Sequence, residues 1–366
     1  MRDMRILHFI NNINLSWHKM LMDTLSAQER RGHETWVVFP PGGVNFKRIS
    51  ALRPRCVPLP VRSSKFDYFA AWKLAGILRE KNIDILHTHL TSSALLGSAA
   101  AGWAGVPCVA SVLKMTKKRR YMKCDALLPC SDAVRDSLLE QGVPPEMMRR
   151  VYTGIDLSRY DDSAPGGDDA RAEFGFAPDD AVIGSVARLA PMKGHSVLLD
   201  AFARVSREEP SARLLIVGDG ELHPGLQQQA AELGIASKTV FAGVREDLPR
   251  ILRALDISVL ASLEKEGLPV ILVESALMGV PAVMTDVAGI REVIRHGETG
   301  LLAPPGDAPA LAESLLETIR DSASARSRAE AARVFVRREF DVNNTVAQMD
   351  EVYLSVSSAR GKAASR

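Results

Sequence analysis

Cysteine is scarce. The 366-residue chain has Cys56, Cys108, Cys124 and Cys130 and no Cys-x-x-Cys pair. This excludes a disulfide scaffold, a zinc ribbon and a thioredoxin-type centre, and it fits a reducing, cytoplasmic compartment. Aromatic residues make up only 5%. Ala, Val, Leu and Gly fill the apolar positions instead, as in helix-covered parallel sheets. The apolar run Ile6–Ile10 is too brief for a secretory leader. Residues 90–113 carry no charge, long enough for a membrane span, but Gly97, Gly102, Gly105 and Pro107 interrupt them. That punctuation predicts a buried helix followed by a buried strand. The chain also lacks a Walker A sequence, a GxGxxG fingerprint and an Asp-x-Asp triplet. A nucleotide-binding metal therefore has no obvious ligands, and any phosphate must be held by Arg, Lys and helix N-termini.

The charge is divided. Residues 1–160 hold 24 Lys and Arg against 13 Asp and Glu, or +11, and the rest hold 22 against 31, or −9. Either the basic half faces an anionic partner, or two soluble domains attract each other across a cleft. The length itself calls for two cores, since a typical domain has ~150 residues.

Apolar strands alternate with helices through both halves, which predicts parallel sheets covered on both faces. In the first half the expected strands are Arg5–Ile10, Thr35–Phe39, Ile83–His87, Cys108–Val112 and Ala126–Leu128. The helices are Leu15–Arg31, Tyr68–Lys81, Thr91–Ala104 and one capped by Ser131. In the second half the strands are Ala181–Ala187, Arg213–Val217, Thr239–Ala242, Ile257–Leu260 and Ala282–Thr285. Its helices are Ser196–Glu208, Pro224–Leu233, Leu248–Ala254 and Pro269–Gly279. The expected organisation is a Rossmann-like domain over 1–160, a linker over 161–180 and a second Rossmann-like domain over 181–342. A last helix near 343–358 is expected to pack back on the first domain. Phe335, Phe340 and Trp36 read as core, and His195 as a surface residue at a helix start.

Ligands of open α/β sheets bind beyond the carboxyl ends of the strands. Arg188 and Lys193 follow a strand there and precede a helix N-terminus, so a guanidinium fork and an ammonium can neutralise a diphosphate. Two solvated charges on a loop are the plainer reading. In the loop 261–269, Pro269 suits a first helical turn, with Glu266 at the helix mouth. Glu274 lies eight residues on, roughly 12 Å along an ideal helix, in an almost wholly apolar run. A carboxylate there needs donors: a buried Arg, or the two neighbouring hydroxyls of a ribose.

Glu266 and Glu274 form the E-x7-E motif, and the sequence resembles the retaining GT-B glycosyltransferases of the GT4 type. The likeness extends through Arg188, Lys193-Gly194, Val217-Gly218-Asp219-Gly220, Gly279-Val280-Pro281, Thr285–Glu292 and Gly297–Leu302. The resemblance implies an α/β, GT-B fold, two Rossmann-like parallel-sheet domains facing across a cleft. It implies that Arg188 and Lys193 hold the donor diphosphate, with Gly218 in the donor site. Glu274 would bind the ribose, and Glu266 would face the transferred sugar beside the backbone of Gly267, Leu268 and Pro269. Arg188, Lys193 and Glu266 are thus the expected catalytic group, with no metal and no cofactor besides a UDP- or GDP-sugar substrate.

In the first half the family's Gly-Gly-x-Glu loop is replaced by Asn14–Lys19, and its His-Gly by Leu113-Lys114. Asn14, His18 and His89 are the acceptor-side candidates. His87 and His89 match a strand-end His-x-His whose imidazoles share one side, and packing on the next helix fits them equally. Lys114, Lys117, Lys118, Arg119, Arg120 and Lys123, with Met115, Tyr121 and Met122 among them, suit an anionic membrane surface. RNA binding or a solvated loop are the rivals, and the family's lipid-linked acceptors favour the membrane over nucleic acid. The expected function is transfer of a sugar to a cell-envelope glycan or glycolipid with retention, at the inner face of the plasma membrane. A GT-B nucleotide-sugar epimerase and a catalytically degenerate partner subunit are the alternatives.

Overall fold

The runs that read as apolar along their whole length pair in parallel. The structure, a computed structural model, describes residues 3–11, 18–42, 49, 55–61, 67–160 and 167–364. One compact unit comprises Met1–Asp156 with Phe340–Arg366, the other Leu157–Glu339.

In the first unit the strands are β1 (Arg5–Ile10), β2 (Glu34–Phe39), β3 (Cys56–Pro58), β4 (Ile85–His89), β5 (Cys108–Val112) and β6 (Ala126–Pro129). They form a six-stranded sheet in the order β3-β2-β1-β4-β5-β6. The helices are α1 (His18–Arg30), α2 (Tyr68–Glu80), α3 (Thr91–Ala104) and α4 (Asp132–Glu140). The uncharged stretch divides where expected, because Gly105 ends α3 in the left-handed region at φ 74° before β5 begins. No helix among the described residues is long and apolar enough to cross a membrane.

The fourth strand corrects the expected Ile83–His87. Ile83 closes the turn after α2 by donating its N–H to the Leu78 carbonyl, and pairing with β1 carries the strand on to His89. The edge strand β3 is too short to carry a period, so no pattern announced it. Phe340 is buried, while Trp36 and Phe335 are half-buried under Lys81 and Arg295.

His87 and His89 share one side of β4, but that side is closed. His8 of β1 joins them, with ring centroids 4.4–5.1 Å apart. His8 Nε2 donates to the Gln28 carbonyl oxygen at 2.8 Å, which leaves its Nδ1 to accept from His89 Nε2 at 2.8 Å. His87 meets the Tyr353 hydroxyl at 2.6 Å and Ser111 Oγ at 2.8 Å. Burial and the neighbouring imidazoles hold His87 and His89 well below the usual histidine pKa, so both are neutral. The three rings are close enough to share a metal ion, but each nitrogen named here is already in a hydrogen bond. His89, expected on the acceptor side, is therefore enclosed by β1 and the final helix. Asn14 and the side chain of His18 lie outside the described residues.

That final helix is α12 (Val342–Ala364), numbered after the second unit's elements below. Met349, Val352, Tyr353 and Val356 enter the first unit's core beside Met4, Ile6, Ile85 and Val109. Buried Asp350 accepts from Arg31 Nε at 2.7 Å and pairs with His33 Nε2 at 3.0 Å. The helix is thus part of the unit in which the chain begins.

The second unit holds α5 (Gly167–Glu173), β7 (Ala181–Val186), α6 (His195–Glu208), β8 (Ala212–Val217), α7 (His223–Glu232) and β9 (Thr239–Gly243). There follow α8 (Leu248–Arg253), β10 (Ile257–Leu260), α9 (Val270–Leu277), β11 (Ala282–Thr285), β12 (Leu301–Ala303), α10 (Ala308–Arg320) and α11 (Ser322–Glu339). The sheet order is β12-β11-β10-β7-β8-β9, all parallel. The expected linker is only partly one. From residue 167 onwards it folds onto this unit, with Phe176 packed on Ile251 and Leu252 and Arg171 bound to Asp256 at 2.7 Å. Residues 161–166 lie outside the described set.

Asp350→Ala leaves buried His33 without its carboxylate partner and deprives Arg31 of its own. The first unit should lose about 3 kcal/mol, read as an earlier unfolding transition in urea. A loss below about 1 kcal/mol would show that α12 is held by apolar packing alone.

Candidate active site

Strand order fixes where the second unit can bind a ligand. Between β7 and β10 the order reverses, and their crossover helices leave on opposite faces. Leu198, Leu199 and Phe202 of α6 pack on one side with Ile183 and Val259, whereas Val182 and Leu215 face the side of α8 and α9. A crevice opens at such a point beyond the carboxyl ends. Lys193 and Glu266 meet there.

Lys193 ends the short turn Pro191–Lys193, and Gly194 then takes a left-handed conformation at φ 64° to start α6. A Cβ at Gly194 would stand 1.9 Å from the Ala261 carbonyl oxygen, so the β7 and β10 loops touch backbone to backbone. Leu263 N–H donates to Met192 O at 2.8 Å across the same seam. Gly218, at φ 136°, has the same role between β8 and β7, where a Cβ would lie 2.0 Å from Ala187 O. No side chain larger than hydrogen fits either crossing.

Within this frame Glu266 is buried. Its Oε1 accepts from Lys193 Nζ at 2.5 Å and from Ser262 Oγ at 2.7 Å. Thr285 Oγ1 donates to the Ser262 carbonyl at 2.6 Å, and Glu266 N–H donates to Ala288 O at 3.0 Å. Segments at the ends of three strands, β7, β10 and β11, thereby fix one carboxylate. Arg188 is exposed at the end of β7 and has no ion pair among the described residues.

Helix α9 begins at Val270, with Pro269 as its N-cap residue. Glu266 sits in the loop at the helix mouth as expected, but only half of the Glu266–Glu274 spacing is helical, so the separation is not that of eight residues of helix. Glu274 is buried as expected, and one of its partners was not foreseen. The Tyr160 hydroxyl, from the turn Leu157–Tyr160, donates to its Oε1 at 2.5 Å. Sequence reasoning missed Tyr160, Ser262 and Thr285. None carries a charge or a spacing pattern, and Tyr160 lies 114 positions from its partner.

A separate groove of about 1030 Å³ lies at the amino ends of the strands, lined by Arg171, Asp180, Asp256 and Pro281.

His195 corrects its expected surface position. It is buried, and neither ring nitrogen has a hydrogen-bond partner among the described residues. Burial, then the nearby Lys193, lowers its pKa to about 4. The folded state thus holds His195 neutral where the unfolded chain protonates near pH 6.5, so its contribution is present above pH 6.5 and is lost as pH falls towards 4. His195→Leu should flatten about 3 kcal/mol of that fall, measured as melting temperature against pH. An unchanged profile would refute the assignment.

The family described as "Glycosyl transferases group 1" matches residues 167–335, and "Glycosyltransferase Family 4" matches residues 19–159. The chain is 26% identical over 350 residues to the N-acetyl-alpha-D-glucosaminyl L-malate synthase of Bacillus anthracis, covering 89% of this chain and 90% of that protein. It is 27% identical to the UDP-Gal:alpha-D-GlcNAc-diphosphoundecaprenol alpha-1,3-galactosyltransferase of Escherichia coli, over 68% of this chain and 69% of that one. The fold matches Anabaena Alr3699/HepE, solved with UDP and glucose, at a TM-score of 0.86 and 22% identity, covering 96% of this chain and 100% of that one. The chain belongs to the GT4-type glycosyltransferases of GT-B fold.

Proposed function

We propose that the protein transfers a sugar from a UDP- or GDP-sugar to a cell-envelope glycan or glycolipid, with retention and without a metal. The observation that carries this is the Lys193–Glu266 pair beside the N-terminus of α9, with buried Glu274 farther along the same helix. Without a donor the pair neutralises itself. A diphosphate arriving at the crevice competes for Lys193 and recruits exposed Arg188, and α6 and the backbone of Gly267–Pro269 add partial positive charge. Gly218 lets the chain pass close to the nucleotide.

As the nucleotide diphosphate departs, negative charge grows on the phosphates and positive charge on the sugar carbon. Lys193 and Arg188 stabilise the first. Glu266, released from Lys193 but still held by Ser262, stabilises the second. Glu274 binds the ribose hydroxyls, with Tyr160 occupying one carboxylate oxygen. No protein nucleophile is needed if the acceptor attacks the face that the leaving group vacates. The Escherichia coli relative is named for a UDP-sugar donor and a lipid diphosphate acceptor, which supports a lipid-linked acceptor here. The basic segment then belongs at the cytoplasmic face of an anionic membrane. Its exposed cations are Lys114, Lys117, Arg119 and Lys123, while Lys118 and Arg120 are half-buried. Tyr121, one of the segment's three apolar side chains, is buried.

Calorimetry with UDP and GDP tests the donor site. Arg188→Ala should weaken binding about tenfold, the 1.4 kcal/mol appropriate to an exposed cation, and EDTA should leave it unchanged. Binding abolished by EDTA would overturn the metal-free reading.

The carboxylates should separate in steady-state kinetics. Glu274 contacts a part of the donor that does not react, so Glu274→Gln should raise KM about tenfold with little change in kcat. Glu266→Gln removes charge aimed at the reacting carbon and should lower kcat by about 10²-fold. The opposite pattern would exchange the two roles.

A further inference from the structure

Glu274 is the one carboxylate of α9, and the helix supplies it with no cation. Residues 270–278 contain neither Lys nor Arg. Ile271 and Met278 share its face of the helix, at spacings of three and four, and both pack on the apolar cluster of Phe176, Val182 and Leu255. The backbone beneath the carboxylate is fixed. Ser275, the next residue, is buried, and its hydroxyl is hydrogen-bonded to that of Ser258 in β10 at 2.8 Å. The side chain itself is not fixed by this. A glutamate has several rotatable bonds and keeps one geometry only where a partner selects it.

Tyr160 is such a partner. Its hydroxyl donates to Glu274 Oε1 at 2.5 Å, and the two residues are 2% and 7% exposed. A hydroxyl donating to a carboxylate at this length is among the stronger hydrogen bonds. The phenol is itself held in place. The turn Leu157–Tyr160 packs on α9, and the Arg159 guanidinium stands 5.9 Å from the centre of the Tyr160 ring. A carboxylate is planar and rigid, so fixing Oε1 also fixes where Oε2 lies. Together its two oxygens offer about four acceptor positions, of which Tyr160 takes one.

We propose that Tyr160 is the positioning residue that makes the donor site selective for a ribonucleotide. It holds the Glu274 carboxylate in the one orientation in which neighbouring 2′ and 3′ hydroxyls can both donate to it. A nucleotide without those hydroxyls desolvates the same acceptor and gives it no donor in return. Sites built to bond a substrate hydroxyl reject the analogue lacking it for this reason. A carboxylate free to turn would lose most of that discrimination. The inference rests on the reading of Glu274 as the ribose carboxylate and adds what orients it. A tyrosine that only relieved the burial of Glu274 would stabilise the fold and affect every nucleotide alike.

Calorimetric titration of the full chain tests this with UDP or GDP, whichever the parent binds, and with the matching 2′,3′-dideoxynucleoside diphosphate. The parent should bind the ribonucleotide about tenfold or more tightly than the dideoxy analogue. Tyr160→Phe keeps the ring and removes the hydroxyl. It should weaken the ribonucleotide about tenfold and leave the dideoxy affinity unchanged, which also shows that the variant is folded. In Glu274→Gln the preference should already be lost, and adding Tyr160→Phe should weaken the ribonucleotide no further. Full preference retained in Tyr160→Phe would overturn the proposal. An equal loss for both nucleotides would make Tyr160 purely structural and overturn it as well. A parent that binds both nucleotides equally would overturn the ribose reading of Glu274 and this inference with it. A parent that binds none of them would overturn the donor site itself.

Discussion

The contact between Lys193 and Glu266 depends on a topological fact. Strands β7 and β10 are neighbours in the sheet but 70 residues apart in the chain, and their helices depart to opposite faces. The loops leaving them must run side by side at the carboxyl edge, and backbone approaches that tolerate no Cβ hold them there. An ammonium from one loop and a carboxylate from the other then meet at 2.5 Å with little solvent between them. Both charges are costly to bury alone and are stable together. A charged ligand can separate them only by supplying replacement partners.

The first unit handles buried polarity differently. His8, His87 and His89 occupy the equivalent reversal, between β1 and β4, yet they are buried and enclosed by Gln28, Ser111 and Tyr353. The same topology therefore yields an ion pair in one unit and a closed cluster of imidazoles in the other. Helix α12 contributes to the difference, because it brings the Tyr353 hydroxyl to the His87 ring.

Elements bounded by glycine, proline or a capping side chain were legible in the sequence. The helix Thr91–Ala104 and the strands Cys108–Val112, Ile257–Leu260 and Ala282–Thr285 stand where the punctuation put them. The carboxylates were legible because Glu274 interrupts an apolar run and Glu266 precedes it at a fixed interval. What escaped was partnership at a distance. Nothing local marks Tyr160 as the donor to Glu274, or Ser262 as the link from Thr285 to Glu266. Burial by another element also escaped. His195 and Tyr121 sit in polar surroundings along the chain, and both are covered in the folded structure.

The most direct measurement is a crystal structure of the protein with a bound nucleotide diphosphate. The account predicts the diphosphate within hydrogen-bonding distance of Lys193 Nζ and Arg188, the Lys193–Glu266 contact opened, and the ribose hydroxyls on Glu274 with Tyr160 still holding Oε1. A nucleotide bound elsewhere, or one seated at the crevice with the Lys193–Glu266 pair intact and Glu274 not touching the ribose, would contradict it.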